Sequence, residues 1–142
     1  MTSTHLFEIQ LGVYATGDDV AGLLSGCARL LDERSLPHDL RLVGREQDAE
    51  HERMPLAQRY ADLAHQWKLT HPDADAGARD FFEIQVGLHA SQTEMDSVRE
   101  ALTRVVCPDP EHRSPCPIPW ESAYSGVEQA DVAERYGHLR SR

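Results

Sequence analysis

The hexapeptides FEIQLG and FEIQVG stand 75 residues apart in a chain of 142 residues. Aligned without a gap over residues 7–31 and 82–106, the two segments share seven residues, namely F, E, I, Q, G, A and R. Ordinary composition would give about one or two such identities. A second matched pair, LAQRYADL at 56–63 and VAERYGHL at 132–139, follows in the same order at a shift of 76. Two matched blocks at nearly one offset predict an internal duplication.

The repeated hexapeptides have the pattern of β-strands that bury one side. Apolar residues alternate in them with polar residues or glycine, and this period of two is typical of a strand with one apolar face. The residues expected to face the core are Phe7, Ile9, Leu11 and Val13 in the first strand and Phe82, Ile84, Val86 and Leu88 in the second.

A helix is predicted directly after each of these strands. SQTE at Ser91–Glu94 is a capping box, in which serine and glutamate satisfy each other's backbone amides. TGDD at Thr16–Asp19 is its weaker counterpart, with aspartate in place of glutamate. Apolar residues at helical spacing follow both signals, so each half continues as an amphipathic helix.

Each half then offers a second short strand and a second helix. The strands are predicted at His38–Gly44 and Ile118–Tyr124, and Pro119 indicates an edge position or a late start for the latter. Pro55 suits the first turn of the helix in the first half. The apolar stripes of the second helices are Leu56, Tyr60, Leu63 and Trp67 in one half and Val132, Tyr136 and Leu139 in the other.

The chain is thus a tandem βαβα repeat, predicted to form a single domain over 1–142. The repeats span about 5–69 and 80–140, and the turn-rich segment 70–80 joins them. Two strands are too few for a half to be stable alone. We therefore expect one four-stranded sheet with the repeated strands at its centre and the helices on one face.

This arrangement resembles the ferredoxin-like folds and their pseudo-dimeric α/β variants, which implies an α+β class. The resemblance rests on the order of the elements. An open parallel sheet with helices on both faces is the main alternative. Its strands should be apolar on both faces, whereas these alternate.

The polar face of the repeated strands is the predicted functional site. It is either a solvated surface or the lining of a cavity that Gly12 and Gly87 leave open for a ligand. A carboxylate in a partly closed site has a raised pKa and suits a general base. The predicted catalytic residues are Glu8, Glu83, His89 and Tyr14. The predicted ligand contacts are Gln10, Gln85 and Trp120.

The function expected from this face is small-molecule handling. It would be either ligand binding or cofactor-free chemistry of the isomerase, cyclase or lyase type, and the residues do not decide whether the protein is an enzyme. No phosphate-binding loop, dinucleotide fingerprint or nucleophile elbow occurs in the sequence. The alternative is an acidic interaction module, such as an immunity or accessory subunit, whose charge covers a basic patch on a partner.

Composition narrows the choice of partners. The net charge of −10 repels phosphate backbones, so no nucleic acid is expected. No apolar run reaches the roughly 18–20 residues that a membrane-spanning helix needs, and no leader pattern begins the chain, so the predicted location is the cytoplasm. Arginine far outnumbers the single lysine, Lys68, which indicates a high-GC bacterial source. A homodimer through the sheet face is a further expectation.

The proline-rich segment 107–120 carries Cys107, His112 and Cys116. Zinc accepts cysteine and histidine, but the spacing C-x4-H-x3-C lacks a fourth ligand. The odd number of cysteines argues against a disulfide framework. We therefore predict a stiff surface loop, no metal site and no cofactor.

Overall fold

The computed structural model describes residues 3–44, 55–108 and 118–141. Strands and helices alternate along the chain, which gives an α+β fold. The strands are β1 (His5–Ala15), β2 (His38–Val43), β3 (Asp80–Ala90) and β4 (Trp120–Ser125). The helices are α1 (Gly17–Arg34), α2 (Leu56–Arg59), α3 (Ala61–Thr70), α4 (Gln92–Val106) and α5 (Ala130–Tyr136), and a 3-10 helix at Gly137–Ser141 follows α5.

The four strands form one antiparallel sheet in the order β2-β3-β1-β4. The central pair consists of the two strands that carry the repeated hexapeptides, as predicted. Gln10 lies opposite Gln85, and Gly12 lies opposite Glu83. Gln10 and Gln85 are also 75 residues apart, so this one matched pair of positions lies face to face at the middle of the two hexapeptides.

The apolar face of the sheet is covered by α1 and α4. The apolar side chains of β1 and β3 pack against the buried residues of these helices in one large core. Both helices begin where predicted. The Ser91 hydroxyl accepts from the Glu94 amide, while the Glu94 carboxylate accepts from the Ser91 amide. The Thr16 hydroxyl accepts from the Asp19 amide.

The other face of the sheet is covered as well, so the expectation of helices on one face is wrong. Helices α2 and α3 pack there around Tyr60 and Trp67, and α5 with the 3-10 helix packs around Tyr136 and Leu139. The physical reason is that these second helices also have apolar stripes to bury, and α1 and α4 already occupy the first face. The face predicted to receive a second copy of the chain therefore carries helices of the same chain.

The second helices are less regular than predicted. The helix expected through Tyr60 is interrupted at that residue, whose backbone angles are φ −110° and ψ 20°, and α5 passes into a 3-10 helix at Gly137. Strand β4 begins directly after Pro119 and forms an edge of the sheet, in agreement with prediction. Within the described ranges, no helix combines the length and the apolar character needed to cross a membrane.

Candidate functional site

We call the face of the sheet that is covered by α2, α3 and α5 the second face. The carboxylate of Glu83, at the centre of this face, is held by residues at the junction of α2 and α3. Its Oε2 atom accepts a hydrogen bond of 2.6 Å from the Tyr60 hydroxyl. The same oxygen forms an ion pair with the Arg59 guanidinium. Its Oε1 atom accepts a hydrogen bond of 2.8 Å from the side-chain amide of Gln85. Glu83 is fully buried, and these donors replace the water that it loses.

Glu8 on β1 has the same surroundings, built from the other end of the chain. The Tyr136 hydroxyl donates to its Oε2 atom at 2.7 Å, and Arg135 forms an ion pair with the same oxygen. The Gln10 amide donates to Oε1 at 2.7 Å. Glu8 is also fully buried. We call these two arrangements the Glu83 clamp and the Glu8 clamp.

The glycines of the two hexapeptides make room for the tyrosines of the clamps. The ring of Tyr60 lies on Gly12, and the ring of Tyr136 lies on Gly87, so closely that a Cβ atom at either glycine would overlap the ring. Because Gly12 lies opposite Glu83 in the sheet, Tyr60 crosses the glycine to reach the carboxylate of the neighbouring strand. The space predicted for a ligand at these glycines is thus filled by tyrosine rings of the chain itself.

Burial and charge keep the clamp tyrosines protonated. Burial raises the pKa of the Tyr60 hydroxyl well above its usual value, and the negative charge of Glu83 raises it further. Burial and Glu8 have the same effects on the pKa of Tyr136. Burial by itself lowers the pKa of Arg135, but the charge of Glu8 and hydrogen bonds outweigh it and leave that pKa raised. Both tyrosines are therefore hydrogen-bond donors at neutral pH.

The predicted site residues do not all meet. Glu8, Gln10, Glu83 and Gln85 form one group on the central strands, where they are buried beneath the second helices. Each glutamate already accepts three hydrogen bonds, as described above. This is the environment of a structural carboxylate, because little capacity remains to accept a proton from a ligand.

Tyr14 and His89, each of them a predicted catalytic residue, lie at opposite ends of this face. Tyr14 packs against Trp67 and Phe81, whereas His89 lies opposite Leu6 in the sheet. Eight residues of β1 separate the two positions, which is about 27 Å along a strand. One small molecule therefore cannot contact both residues.

Trp120, predicted to contact the ligand beside Gln10 and Gln85, lies on the other face of the sheet. It is paired with Val13 and packs against the core beneath α1 and α4. The prediction grouped it with the polar face because sequence alone did not give the register of β4.

A cavity of about 550 Å³ opens on the second face, between α2 and the edge strand β4. Its volume lies within the usual range for small-molecule sites. Glu83 is at its wall, whereas Glu8 is not among the lining residues. The wall includes Gln10, Arg59, Tyr60, Glu83, Glu121 and Ser125.

The two edges of the sheet differ beside the central glutamines. On β4, Ala123 lies opposite Gln10 and lines the cavity. On β2, Arg41 lies opposite Gln85. A methyl group and a long cationic side chain therefore stand at corresponding positions of the two edges, and the cavity lies on the side with the methyl group.

Sequence reasoning missed the residues that form the clamps with the glutamates. Arg59 and Tyr60, like Arg135 and Tyr136, form the dipeptide RY within the second pair of matched blocks. The tyrosines were interpreted only as members of apolar stripes. The recurrence of a cation beside each tyrosine was the signal available, since an apolar stripe alone does not require it.

The predicted loop site falls largely outside the described residues. Cys107 follows the last turn of α4, while His112 and Cys116 lie outside the described ranges. Over the residues that are described, no group of three or more histidine, cysteine, aspartate or glutamate side chains is arranged to hold a metal ion.

Comparisons with known proteins add little to this geometry. No protein-family model matches the chain, and no curated protein matches it. Among solved structures, it is similar to a proposed aminohydrolase from methicillin-resistant Staphylococcus aureus, with 11% identity and a TM-score of 0.42. The match covers 88% of this chain and 31% of that one, so the present chain spans about a third of the other protein's length.

Proposed function

We propose that this protein binds a polar small molecule in the cavity between α2 and β4. The observation that carries the proposal is a cavity of about 550 Å³ with one wall on the duplicated strands. Four kinds of polar group line it: a carboxylate at Glu121, an amide at Gln10, a hydroxyl at Ser125 and the Arg59 guanidinium. A concave site with a few convergent polar groups is the usual form of a ligand pocket.

The carboxylates of the central strands support ligand binding better than they support catalysis. Glu83 reaches the wall of the cavity, but Tyr60 and Arg59 already occupy one of its oxygens and Gln85 the other. Isomerase, cyclase or lyase chemistry would need a proton acceptor that is not committed in this way. Glu121 is the exposed carboxylate at the wall.

We further propose that the fold is a ferredoxin-like pseudo-dimer made by internal duplication. Three features support this: the antiparallel order β2-β3-β1-β4, the pairing of Gln10 with Gln85, and the two clamps. In this arrangement the central strands correspond to each other, as do the RY dipeptides. The cavity is then the result of divergence at the two edges.

A fragment screen tests the binding proposal. Amide shifts in two-dimensional NMR would be recorded for the native chain with a library of polar compounds of roughly 100–250 Da, a size suited to such a cavity. Ala123→Trp fills the cavity, and Ala21→Trp on the exposed side of α1 is the matched control. Compounds should shift Gln10, Ser125 and Glu121 in the native chain and the control, but not in Ala123→Trp. Absence of cavity shifts, or shifts that persist in Ala123→Trp, would refute the proposal.

A further inference from the structure

The kind of ligand that the cavity prefers can be inferred from its wall, an inference that rests on the proposed function. We propose that it takes an organic cation, a small molecule whose protonated amine is held by the carboxylate of Glu121. Three observations carry this assignment: the charge left at the wall, the hydrogen-bonding groups left at the wall, and the difference between the two edges of the sheet.

The charged groups at the wall leave one net negative charge. Arg59 and Glu83 form an ion pair and cancel. Glu121 lies opposite Gly12, which places it on the cavity face of β4, and its side chain is exposed. No cationic side chain in the described ranges forms an ion pair with Glu121. The net charge of −10 on the whole chain adds a field that attracts cations.

Two of the hydrogen-bonding groups at the wall, Gln10 and Glu121, offer acceptors to a ligand. The Gln10 amide nitrogen donates to Glu8 at 2.7 Å and to the Ser125 hydroxyl at 3.2 Å, so its carbonyl oxygen is the group left for a ligand. Tyr60 donates its hydroxyl hydrogen to Glu83. A carboxylate such as Glu121 only accepts. A protonated primary amine, with three donors and no acceptor, complements such a wall.

The edge strand on the other side of the sheet carries its own cation in the corresponding place. Asp39 lies opposite Gly87 as Glu121 lies opposite Gly12, so an acid is present on both edges. Two residues further along, β2 has Arg41 and β4 has Ala123. The cavity edge therefore keeps the acid and lacks the arginine.

A second basic residue near Asp39 also has no basic counterpart in the other half of the chain. The His138 ring lies 3.6 Å from the carboxylate of Asp39. In the matched blocks VAERYGHL and LAQRYADL, the position of His138 corresponds to Asp62. In the alignment of the two halves, the basic residues Arg41 and His138 thus correspond to Ala123 and Asp62, a methyl group and a carboxylate. A ligand that brings a cation would fill the place that they leave.

The test compares three probes of one shape and different charge: 2-phenylethylamine, 2-phenylethanol and phenylacetate. Binding to the native chain is measured by NMR titration, with the shifts of Gln10, Ser125 and Glu121 as the readout of the cavity. Glu121→Gln removes the charge, Glu33→Gln on the exposed side of α1 is the matched control, and Ala123→Arg supplies the cation found on β2.

We expect the amine to shift the cavity residues and the other two probes to do so much more weakly. Glu121→Gln should weaken amine binding about tenfold, which is the usual scale for losing a hydrogen bond to a charged group. Glu33→Gln should leave it unchanged, and Ala123→Arg should abolish it. Equal binding of the alcohol, or amine binding that survives Glu121→Gln, would overturn the cation assignment and leave the cavity as a binding site. No cavity shift with any probe or any library compound would overturn both proposals.

Discussion

The hydroxyl of Tyr60 donates a hydrogen bond of 2.6 Å to Glu83, a residue that belongs to the other half of the chain. The Tyr136–Glu8 bond of 2.7 Å joins the halves in the opposite direction. Each half therefore provides the donors that allow the other half to bury a carboxylate in the sheet. Neither glutamate could be buried at acceptable cost without them, because an unpaired buried charge is strongly destabilising.

Removing either tyrosine hydroxyl should destabilise the protein by a similar amount. Tyr60→Phe and Tyr136→Phe keep the ring but take one donor from a buried carboxylate. We expect each to lower the free energy of unfolding by about 1.5–3 kcal/mol, the range for hydrogen bonds to charged groups. Urea unfolding followed by circular dichroism measures the loss. The control is Tyr124→Phe, because Tyr124 is 43% exposed. A tyrosine variant of either clamp that is as stable as the native chain would contradict a role for its hydroxyl.

Adding a methyl group at either central glycine should displace a tyrosine ring. Gly12→Ala and Gly87→Ala place a Cβ atom against Tyr60 and Tyr136, and we expect losses of about 1–3 kcal/mol, the usual cost of overpacking. Gly22→Ala is the matched control, since nothing lies within 4 Å of its added Cβ, and it should stabilise α1 slightly. Denaturant midpoints distinguish the cases.

The same substitution gives a direct test of the ring contact. Gly12→Ala in a Tyr60→Leu background should cost less than Gly12→Ala alone, because the ring that the methyl group displaces is gone. Strict additivity of the two substitutions would show that the cost at Gly12 has another origin.

Stability should fall steeply in alkali because the folded state keeps protons that the unfolded state loses. The pKa of Tyr60 and Tyr136 is raised by burial and by the neighbouring glutamates. Well below pH 10, the ordinary pKa of tyrosine, the phenols are protonated in both states and stability does not change on their account. Above pH 10 the unfolded state loses protons first, so each tyrosine lowers the free energy of unfolding by about 1.4 kcal/mol per pH unit.

Urea midpoints measured from pH 8.5 to 11.5 check this slope. The double variant Tyr60→Phe/Tyr136→Phe should lose the tyrosine contribution and show a flatter dependence, whereas Tyr124→Phe should keep the native slope. The buried thiol of Cys27, whose pKa is raised by burial to about 11, contributes equally to all of these chains and cancels. Identical slopes for native and double variant would disprove the explanation.

The capping box of α4 should matter more than the single cap of α1. Ser91→Ala removes the acceptor for the Glu94 amide in a buried position, and we expect a loss of about 1 kcal/mol or slightly more. Thr16→Ala removes a longer, exposed bond of 3.2 Å and should cost less. Ser25→Ala, at an exposed position within α1, is the control for changing a serine. Thermal unfolding ranks the three variants, and a reversed order of Ser91 and Thr16 would contradict the capping argument.

Local patterns in the sequence were sufficient to predict the strands, the caps of α1 and α4 and the apolar face of the sheet. These features depend on neighbours a few residues apart, as in the alternation from Phe7 to Val13. The pairing of β1 with β3 followed from the repeat. The second helical layer could not be predicted in the same way, because an apolar stripe such as Leu63 and Trp67 shows which side of a helix is buried but not which face of a sheet it covers.

The polar residues of β1 and β3 were interpreted as a solvated surface or the lining of a cavity, because the partners that bury them are remote in the sequence. Glu8 is bonded to a tyrosine 128 positions away, and no local pattern announces such a contact. The cavity also depends on distant relationships. Its position follows from the register that sets Ala123 beside Gln10 and Arg41 beside Gln85, and strand alternation alone does not fix that register.

The reciprocal bonds between the halves have a consequence for how the molecule opens. Detaching the α2–α3 junction leaves the buried charge of Glu83 without its donors from Arg59 and Tyr60, and detaching α5 does the same to Glu8. Local opening on either side therefore weakens the pairing of β1 with β3. The amides of β1 and β3 should therefore exchange with deuterium together, with one protection energy equal to that of global unfolding, rather than as two separately melting segments.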